Sequence, residues 1–576
     1  MKSILVFGGT TEGRKSIEAL EEAGSLFYYS TKTGEQDVSL HHGILLSGAM
    51  DEEGMTSFCH SHNIGLLIDA AHPFAEVLHR TVAKVAEQLD IPAIRFERIF
   101  PERETDIVWC DDFDDALRKV DCRVLLATTG VQSISRLKPL EERGISVRYR
   151  ILNRESSIRL AHEQGATDEQ LCFYPHTPKA DAMLMKESGE TGGFVEKVEE
   201  ARRLGMKMYA IKRPETPKVF HQVNGEHGLR RMVERLLPDF YPLHSGLTTG
   251  TCATAAAVAA TIRLMTGEAP DNVPVRLPNG ETIHVAVGYG DGYAFCIKEA
   301  GDDPDVTDGL EIRAQAERSK RFEIIGGEGV GRFTLPGFDY PAGEAAINKA
   351  PRQMMRDNIK EEVRITISVP QGAEIARRTF NPRLGIEGGI SIIGVSGIVK
   401  PFSEEAFIES IHKCLEVAKA SGAERVVLHS GMKSENFLQQ HYPHLPQQAF
   451  VEYGNAIGET LRMANELQLP HVTLGIMLGK AVKLAEGHLD THSKKQTMNK
   501  AFITEMMHEA GCDEGAIAKA AGITLARELW SIIPAEHVGE FAKTVISHCE
   551  QHCHPLLPQG ELTILLIDDN GHIYGS

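Results

Sequence analysis

Over the first 115 residues, short apolar runs alternate with longer stretches of helical period. The runs at 4–7, 26–29, 44–46 and 65–70 are strand-like, whereas 11–24, 51–62 and 75–89 repeat apolar residues every three to four positions. Strands alternating with helices imply right-handed crossovers and a doubly wound parallel sheet. Residues 122–237 repeat the pattern, with strands predicted at 122–130, 145–152, 182–186 and 207–213 and a helix at 193–205. The expected fold class is α/β, opening with a two-lobed unit over 1–242 whose lobes cover about 1–118 and 119–242.

The texture changes where Pro238 and Pro242 break the last helix and an alanine-rich helix follows. Residues 273–335 read as β-hairpins, with Asn279-Gly280 and Asp291-Gly292 as turn signals. A glycine-dense segment from 379 opens a further α/β stretch running to about 530. A second unit is therefore predicted at 243–576, with an α+β subdomain over 243–378 and an α/β subdomain over 379–576.

Composition narrows the function classes. No apolar run reaches the ~20 residues of a membrane span, and the N-terminus lacks a signal-peptide core, so a cytoplasmic location and no membrane partner are expected. With 61 basic against 80 acidic residues, a net charge of −19 argues against nucleic acid. An anionic ligand would need arginines concentrated locally. Ten cysteines are scattered without a disulfide framework. Cys549 and Cys553, amid His548, His552 and His554, have i, i+4 spacing but no second ligand pair, so no protein metal site is expected. Homo-oligomerisation is left open.

Candidate chemistry gathers at strand ends. Gly8-Gly9-Thr10-Thr11-Glu12-Gly13-Arg14 lies between the first strand and the first helix, where free amides and the helix dipole attract a phosphate; a tight structural turn is the competing reading. After the second strand, Ser30-Thr31-Lys32-Thr33-Gly34 offers no acidic residue to grip a ribose, and Lys32 suits a 2′-phosphate or solvent. Asp69, His72, Lys186, Ser188 and Gly189 follow later strands, and Arg95 and Arg98 are suited to carboxylates. In the second unit Thr248, Thr249 and Thr251 gather at a helix start, as an anion clasp or an N-cap. Asp302, Asp303, Asp305 and Asp308 form an acidic loop suited to polar ligand groups, to a desolvated base or to Asx turns. Glycines crowd 326–331 and 385–397, a pattern that usually marks a ligand against the backbone. Asn348, Arg352, Asn381 and Arg383 flank them, and Gly479-Lys480 and Thr491-His492-Ser493-Lys494 supply cations and a candidate base.

Taken in order, GGTTEGR, DAAHPFA, IPAIRFERI, LLATTG, MKESGETGGFVEKVEEA and IKRP resemble the precorrin-6A reductase family over residues 1–240. The resemblance implies a two-lobed Rossmann-like enzyme that reduces one double bond of a corrin-type macrocycle with NADH or NADPH. Gly9, Thr10, Thr11, Glu12, Gly13 and Arg14 would then hold the cofactor. Asp69, Arg95, Arg98, Ser188 and Gly189 would meet the substrate, and His72 or Lys186 would supply the proton.

HSGLTTGTCATAAAVAA, KEAGDDPDVTDG, GGEGVGRFTLPGF, GEAAINKAPR, FNPRLGIEGGISIIGVSGIVKPFSEEA, GKAVKLAEG and THSK are similar to the carbon-1-specific cobalt-precorrin-5B methyltransferase family over about 243–500; in the last motif KKQTMNK departs from the family's acidic continuation, and 520–576 match no motif. This implies S-adenosyl-L-methionine as donor, a cobalt-corrinoid acceptor, and a two-subdomain fold lacking the usual Rossmann methyltransferase motif. Gly388, Gly389, Ser391 and Gly394 are the expected donor site. Asp302 and Asp305 are the expected catalytic carboxylates, and Thr248, Thr249, Thr251, Asn348, Arg352 and Arg383 the expected substrate contacts. The resemblances together imply two consecutive steps of corrin-ring synthesis, the later one encoded first. The competing reading is a generic NAD(P) oxidoreductase joined to a tetrapyrrole-binding scaffold, although no Tyr-x-x-x-Lys pair of the short-chain type occurs in a suitable helix.

Overall fold

The apolar runs of the first unit form strands buried at every residue in Ser3–Phe7, Phe27–Thr31 and Ile64–Asp69, as parallel strands covered on both faces require. They belong to a six-stranded parallel sheet in the order Phe220–Asn224, Ala93–Glu97, Ile64–Asp69, Ser3–Phe7, Phe27–Thr31, Gly43–Ser47. A second such sheet runs Ile107–Cys110, Lys207–Ile211, Ala182–Lys186, Val124–Ala127, Ser146–Ile151, Leu171–Phe173. In both, the direction of growth reverses at the central pair. Open α/β sheets bind ligands in the crevice outside the carboxyl ends of such a pair. The computed structural model describes residues 2–575 apart from Thr33, Glu35 and Lys494.

The lobes do not divide at 118/119. Ile107–Cys110 pairs with Met208–Ile211, whereas Phe220–Asn224 and the helix Gly225–Leu236 return to the first sheet. Leu229 and Val233 of that helix bury their side chains in the same core as Ile4, Val6 and Leu66, which draws it back. The second lobe is thus an insertion running from Ile107 to Ile211.

By packing, the chain forms one unit of Met1–Ser245 with Pro274–Val285, and another of Gly246–Val273 with Ala286–Ser576. The hairpin expected with the second unit therefore lies with the first. Its Glu281 carboxylate is buried and accepts N–H bonds from Glu226 and His227 at 3.0 Å and from Gly228 at 3.4 Å, at the open end of Gly225–Leu236. Helix-start amides lack intrahelical partners, and the dipole favours an anion there. Glu281→Ala is expected to lower the stability of the first unit by about 1–2 kcal/mol in chemical denaturation. Burial pushes Glu281 up, but the bonds from His227 and the amides hold its pKa below the usual value. Its contribution is present above about pH 4.3 and is lost as pH falls through the lowered folded value.

In the second unit the helix Thr249–Thr266 is buried from Thr249 to Thr261. Its small side chains let it lie close on a sheet of Gly288–Tyr289, Ala294–Ile297, Glu311–Arg318, Val363–Ser368 and Glu323–Gly326. The break expected at 378/379 falls after Val399 instead. Ile386–Glu387 pairs with Arg332–Phe333, Ile390 and Ile392 bridge to Val330 and Ile347, and Ile398–Val399 pairs with Gly246–Leu247. A third parallel sheet follows, in the order Phe450–Glu452, Val426–His429, His471–Met477, Glu561–Ile567, with Ile573–Tyr574 antiparallel at its edge. The α/β stretch thus continues past 530. Cys549 and Cys553 lie in its core on the helix Ala535–Cys553, and burial pushes both thiols up, Cys553 to about 12. They are packing groups. Among the described residues no helix is long and apolar enough to cross a membrane.

Candidate active sites

The glycine loop closes the first strand at its sheet's switch point. Thr10 caps the helix Thr11–Glu21 by accepting from Gly13 N–H at 3.0 Å, and its hydroxyl donates to the Ala70 carbonyl at 2.6 Å. Gly8 and Gly13 are required by Tyr29, since a Cβ on either would lie 2.1 and 2.3 Å from the phenol oxygen. Gly9 differs: its φ is +89° and its Cβ direction is open. The Gly9 N–H already donates to the Tyr29 hydroxyl at 3.1 Å, so Gly9 offers a close backbone approach, while the first-turn amides of Thr11 and Glu12 and the exposed Arg14 remain available to a phosphate. Lys32 is exposed after the second strand, and Thr33 lies outside the described residues.

Six expected ligand contacts are consumed inside the protein. Arg95, 1% exposed, donates to the Asp69 carboxylate at 2.8 Å, the Asp69 carbonyl at 3.0 Å, the Ala71 carbonyl at 2.9 Å and Glu97 at 2.5 Å. Asp69, 0% exposed, also binds His79 Nδ1 at 2.5 Å. Burial pushes Asp69 up, yet His79 and Arg95 outweigh it and keep the carboxylate ionised. Arg98 pairs with Glu12 at 2.9 Å and donates to the Ser188 carbonyl at 2.7 Å, tying one lobe to the other. Glu12 also accepts from Thr191, so it is not a cofactor contact. Ser188 donates to the Gly192 carbonyl at 3.0 Å, and Gly189, at φ +75°, sits against Arg98. These groups position the loops.

What the two switch points bring together is His72, Phe74 and Lys186. Lys186 ends the central strand of the second sheet, with its ammonium 5.0 Å from the Phe74 ring centre and 5.4 Å from that of Phe113. Burial, with Arg136 and Lys197 adding, lowers its pKa to about 8. His72 Nδ1 accepts the Phe74 N–H at 3.2 Å, which places the ring proton on Nε2. Burial and the charges of Arg98 and Lys186 push His72 down to about 3. Near neutral pH His72 is thus a neutral hydrogen-bond donor, while Lys186 is an ammonium close to its titration point. Lys197, on the helix Phe194–Arg203, is likewise lowered to about 8, by burial first and then by Arg150. The sequence marks Lys197 only as one charge on an amphipathic helix; its burial is a tertiary fact.

In the second unit the threonine cluster is an N-cap. Thr248 accepts from Thr251 N–H at 3.2 Å, Thr251 donates to the Gly397 carbonyl at 2.7 Å, and Thr249 accepts from Ile393 N–H at 2.9 Å. The glycines of 326–331 and 385–397 press on one another: a Cβ on Gly389 would lie 2.1 Å from the Gly329 carbonyl oxygen, and one on Gly394 would lie 2.3 Å from Thr248 Oγ1. Ser391 donates to Asn381 at 3.1 Å. Packing and hydrogen bonding within the protein therefore account for Gly389, Ser391 and Gly394, and only the Gly388 Cβ direction is open among the four expected donor-site residues.

Asp305 does not have the environment of a base. It accepts from buried Lys298 at 3.1 Å and from Thr307 N–H and Oγ1 at 2.8 and 2.6 Å. Burial raises its pKa, but Lys298 and these bonds bring the net value below normal. Asp308 accepts the Ala300 N–H at 2.7 Å and Asp303 that of Phe402 at 3.0 Å, while Asp302 lies exposed. Arg352 donates to the carbonyls of Ile347 and Ala345 at 2.8 and 3.2 Å, bracing its own loop, whereas Asn348 keeps a buried Oδ1 without a partner among the described residues. Arg383 pairs with Glu435 at 2.8 Å, beside the third sheet. Lys494 lies outside the described residues.

These two units define an α/β enzyme with switch-point crevices in its first unit. The profile of precorrin-6x reductase CbiJ/CobK matches residues 3–227, that of CbiD residues 239–401, and that of the CbiD C-terminal domain residues 490–576. The cobalt-precorrin-5B C(1)-methyltransferase of Prosthecochloris aestuarii is 39% identical over 345 residues, covering 56% of this chain and 94% of that protein. Its counterpart in Thermus thermophilus is 41% identical over 296 residues, covering 50% and 81%. A solved CobK precorrin-6A reductase aligns at 18% identity and a TM-score of 0.34 over 41% of this chain and 98% of its own. The chain belongs to the cobalt-precorrin-5B C(1)-methyltransferase family, with a CbiJ/CobK reductase region joined at its N-terminal side. It is an enzyme of cobalamin biosynthesis that unites a methyltransferase with a reductase.

Proposed function

We propose that the second unit transfers a methyl group from S-adenosyl-L-methionine to carbon 1 of cobalt-precorrin-5B, and that the first reduces the resulting cobalt-precorrin-6A to cobalt-precorrin-6B with NADH or NADPH. The observation that carries the reductase reading is Lys186, held between Phe74 and Phe113 at the switch point with a pKa lowered to about 8. A reduced nicotinamide supplies hydride when bound. The chain's own residues would hold its phosphates at Gly9, Thr11 and Arg14, orient the macrocycle through His72 Nε2–H, and deliver a proton from the Lys186 ammonium. The aromatic walls exclude water from that ammonium. Methyl transfer from a sulfonium requires alignment in a dry cleft, where proximity contributes about 7–11 kcal/mol at best.

The test is incubation with cobalt-precorrin-5B, S-adenosyl-L-methionine and reduced nicotinamide, following product mass. A gain of one methyl followed by two hydrogens is expected; binding of corrinoid without either change would favour a scaffold. Joining the halves raises the effective concentration of one site for the other's product. Severed halves mixed at equal concentration should therefore release more free intermediate than the intact chain. Equal release would remove that advantage.

A further inference from the structure

We propose that the adenosine end of the methyl donor binds at the carboxyl edge of the third sheet, between the Ser430-Gly431 turn and Gly479, with Glu452 gripping the ribose hydroxyls. This rests on the reading above that the donor is S-adenosyl-L-methionine.

Strand order gives the first argument. Val426–His429 and His471–Met477 are neighbours, yet the strand between them in sequence, Phe450–Glu452, lies outside the first, and Glu561–Ile567 lies outside the second. The direction of growth reverses between the central pair, which makes this edge a switch point. Gly431 leads directly from strand to the helix Met432–His441 at φ +147°, and the nearest group to a Cβ there is Glu452 Oε1 at 3.7 Å. Gly479, at the start of the helix Leu478–Ala485, meets nothing within 4 Å. Glu452 ends the neighbouring strand in register with His429. It follows Gly431 by about twenty residues, the spacing at which Rossmann-type units present a carboxylate to a ribose.

Orphaned polar groups give the second argument. His429 is 0% exposed, and among the described residues neither ring nitrogen makes a hydrogen bond of normal geometry; its polar neighbours are the Gly431 backbone and the Glu435 carboxylate, 3.9 Å from Nε2. As the register partner of Glu452 it shares that strand face. Thr491, 2% exposed, has a hydroxyl without a partner among the described residues, and its N–H donates to the Asn455 carbonyl at 3.1 Å, just past Glu452. Buried polar groups are nearly always bonded, so His429 at this strand edge and Thr491 near it, both without a normal hydrogen bond from the described residues, point to a ligand that supplies partners. In glycine segment 385–397, by contrast, Gly385, Gly389 and Gly394 press on Leu335, the Gly329 carbonyl and Thr248, which leaves Gly388 open.

The intact chain is tested by equilibrium dialysis with radiolabelled S-adenosyl-L-methionine, and by competition with adenosine and 2′-deoxyadenosine. Glu452→Gln is expected to weaken donor binding at least tenfold and to erase the preference for adenosine over its deoxy form. Gly431→Val is expected to remove measurable binding, with circular dichroism of both variants unchanged. Wild-type affinity and undiminished ribose discrimination in Glu452→Gln, or wild-type affinity in Gly431→Val, would overturn the site while leaving the donor reading intact. A wild-type chain that binds neither S-adenosyl-L-methionine nor adenosine would overturn both.

Discussion

Replacing Lys186 by methionine is expected to slow the reduction step by about 10²–10⁴-fold, the usual contribution of a positioned acid or base. Methionine keeps the length and apolar stem of the side chain but carries no proton. The effect should fall on kcat more than on KM for the nicotinamide, because the cofactor's phosphates are assigned to Gly9, Thr11 and Arg14. The pH profile gives a sharper readout. Burial, aided by Arg136 and Lys197, lowers Lys186 to about 8. A donor must be protonated, so the wild-type rate should hold below that value and fall as pH rises through it. Lys186→Met should lose that descending limb, measured by nicotinamide oxidation across pH. His72→Gln should leave the limb in place, because a ring already neutral above about pH 3 has no titration there to lose. A Lys186→Met profile that still falls near pH 8 would assign the proton to another group, with Lys197 the next to test.

Lys186 was legible in the sequence because an apolar strand run ends on it and a glycine loop follows. The same logic placed Gly9 at the first switch point, where an open Cβ direction and positive φ agree with it. It failed for Arg95. The segment AIRFERI shows a cation among apolar residues and is silent on whether Asp69, Ala71 and Glu97 close around it. Glycine density failed for a related reason. A glycine records that something approaches closely, and at Gly389 the neighbour is the Gly329 carbonyl rather than a ligand. The lobe boundary at 118/119 was misplaced because periodicity reports strands without their partners, and the return of Phe220–Asn224 to the first sheet is a pairing fact. The third sheet was legible only in part, since its inner strand Glu561–Ile567 lies beyond the motifs that suggested the second unit.

Arg95→Met should destabilise the first unit by about 3–5 kcal/mol, the usual effect of removing one member of a buried pair. Asp69 is fully buried and stays ionised because His79 and Arg95 compensate its desolvation. Without the guanidinium, the carboxylate keeps His79 but loses the 2.8 Å bond, and the carbonyls of Asp69 and Ala71 lose their donors. With domain stabilities of about 5–15 kcal/mol, this is a third or more of the total for many domains. Hydrogen exchange resolves it locally: amides of Ser3–Phe7 and Ile64–Asp69 should lose protection, while those of the third sheet keep theirs. A double variant, Asp69→Leu with Arg95→Met, should recover part of the loss, because neither charge is then stranded. If Arg95 instead contacted the macrocycle, Arg95→Met would raise KM for the corrinoid and leave exchange unchanged. That result would return Arg95 to the substrate site and would require the Asp69–Arg95 pair to open when ligand binds.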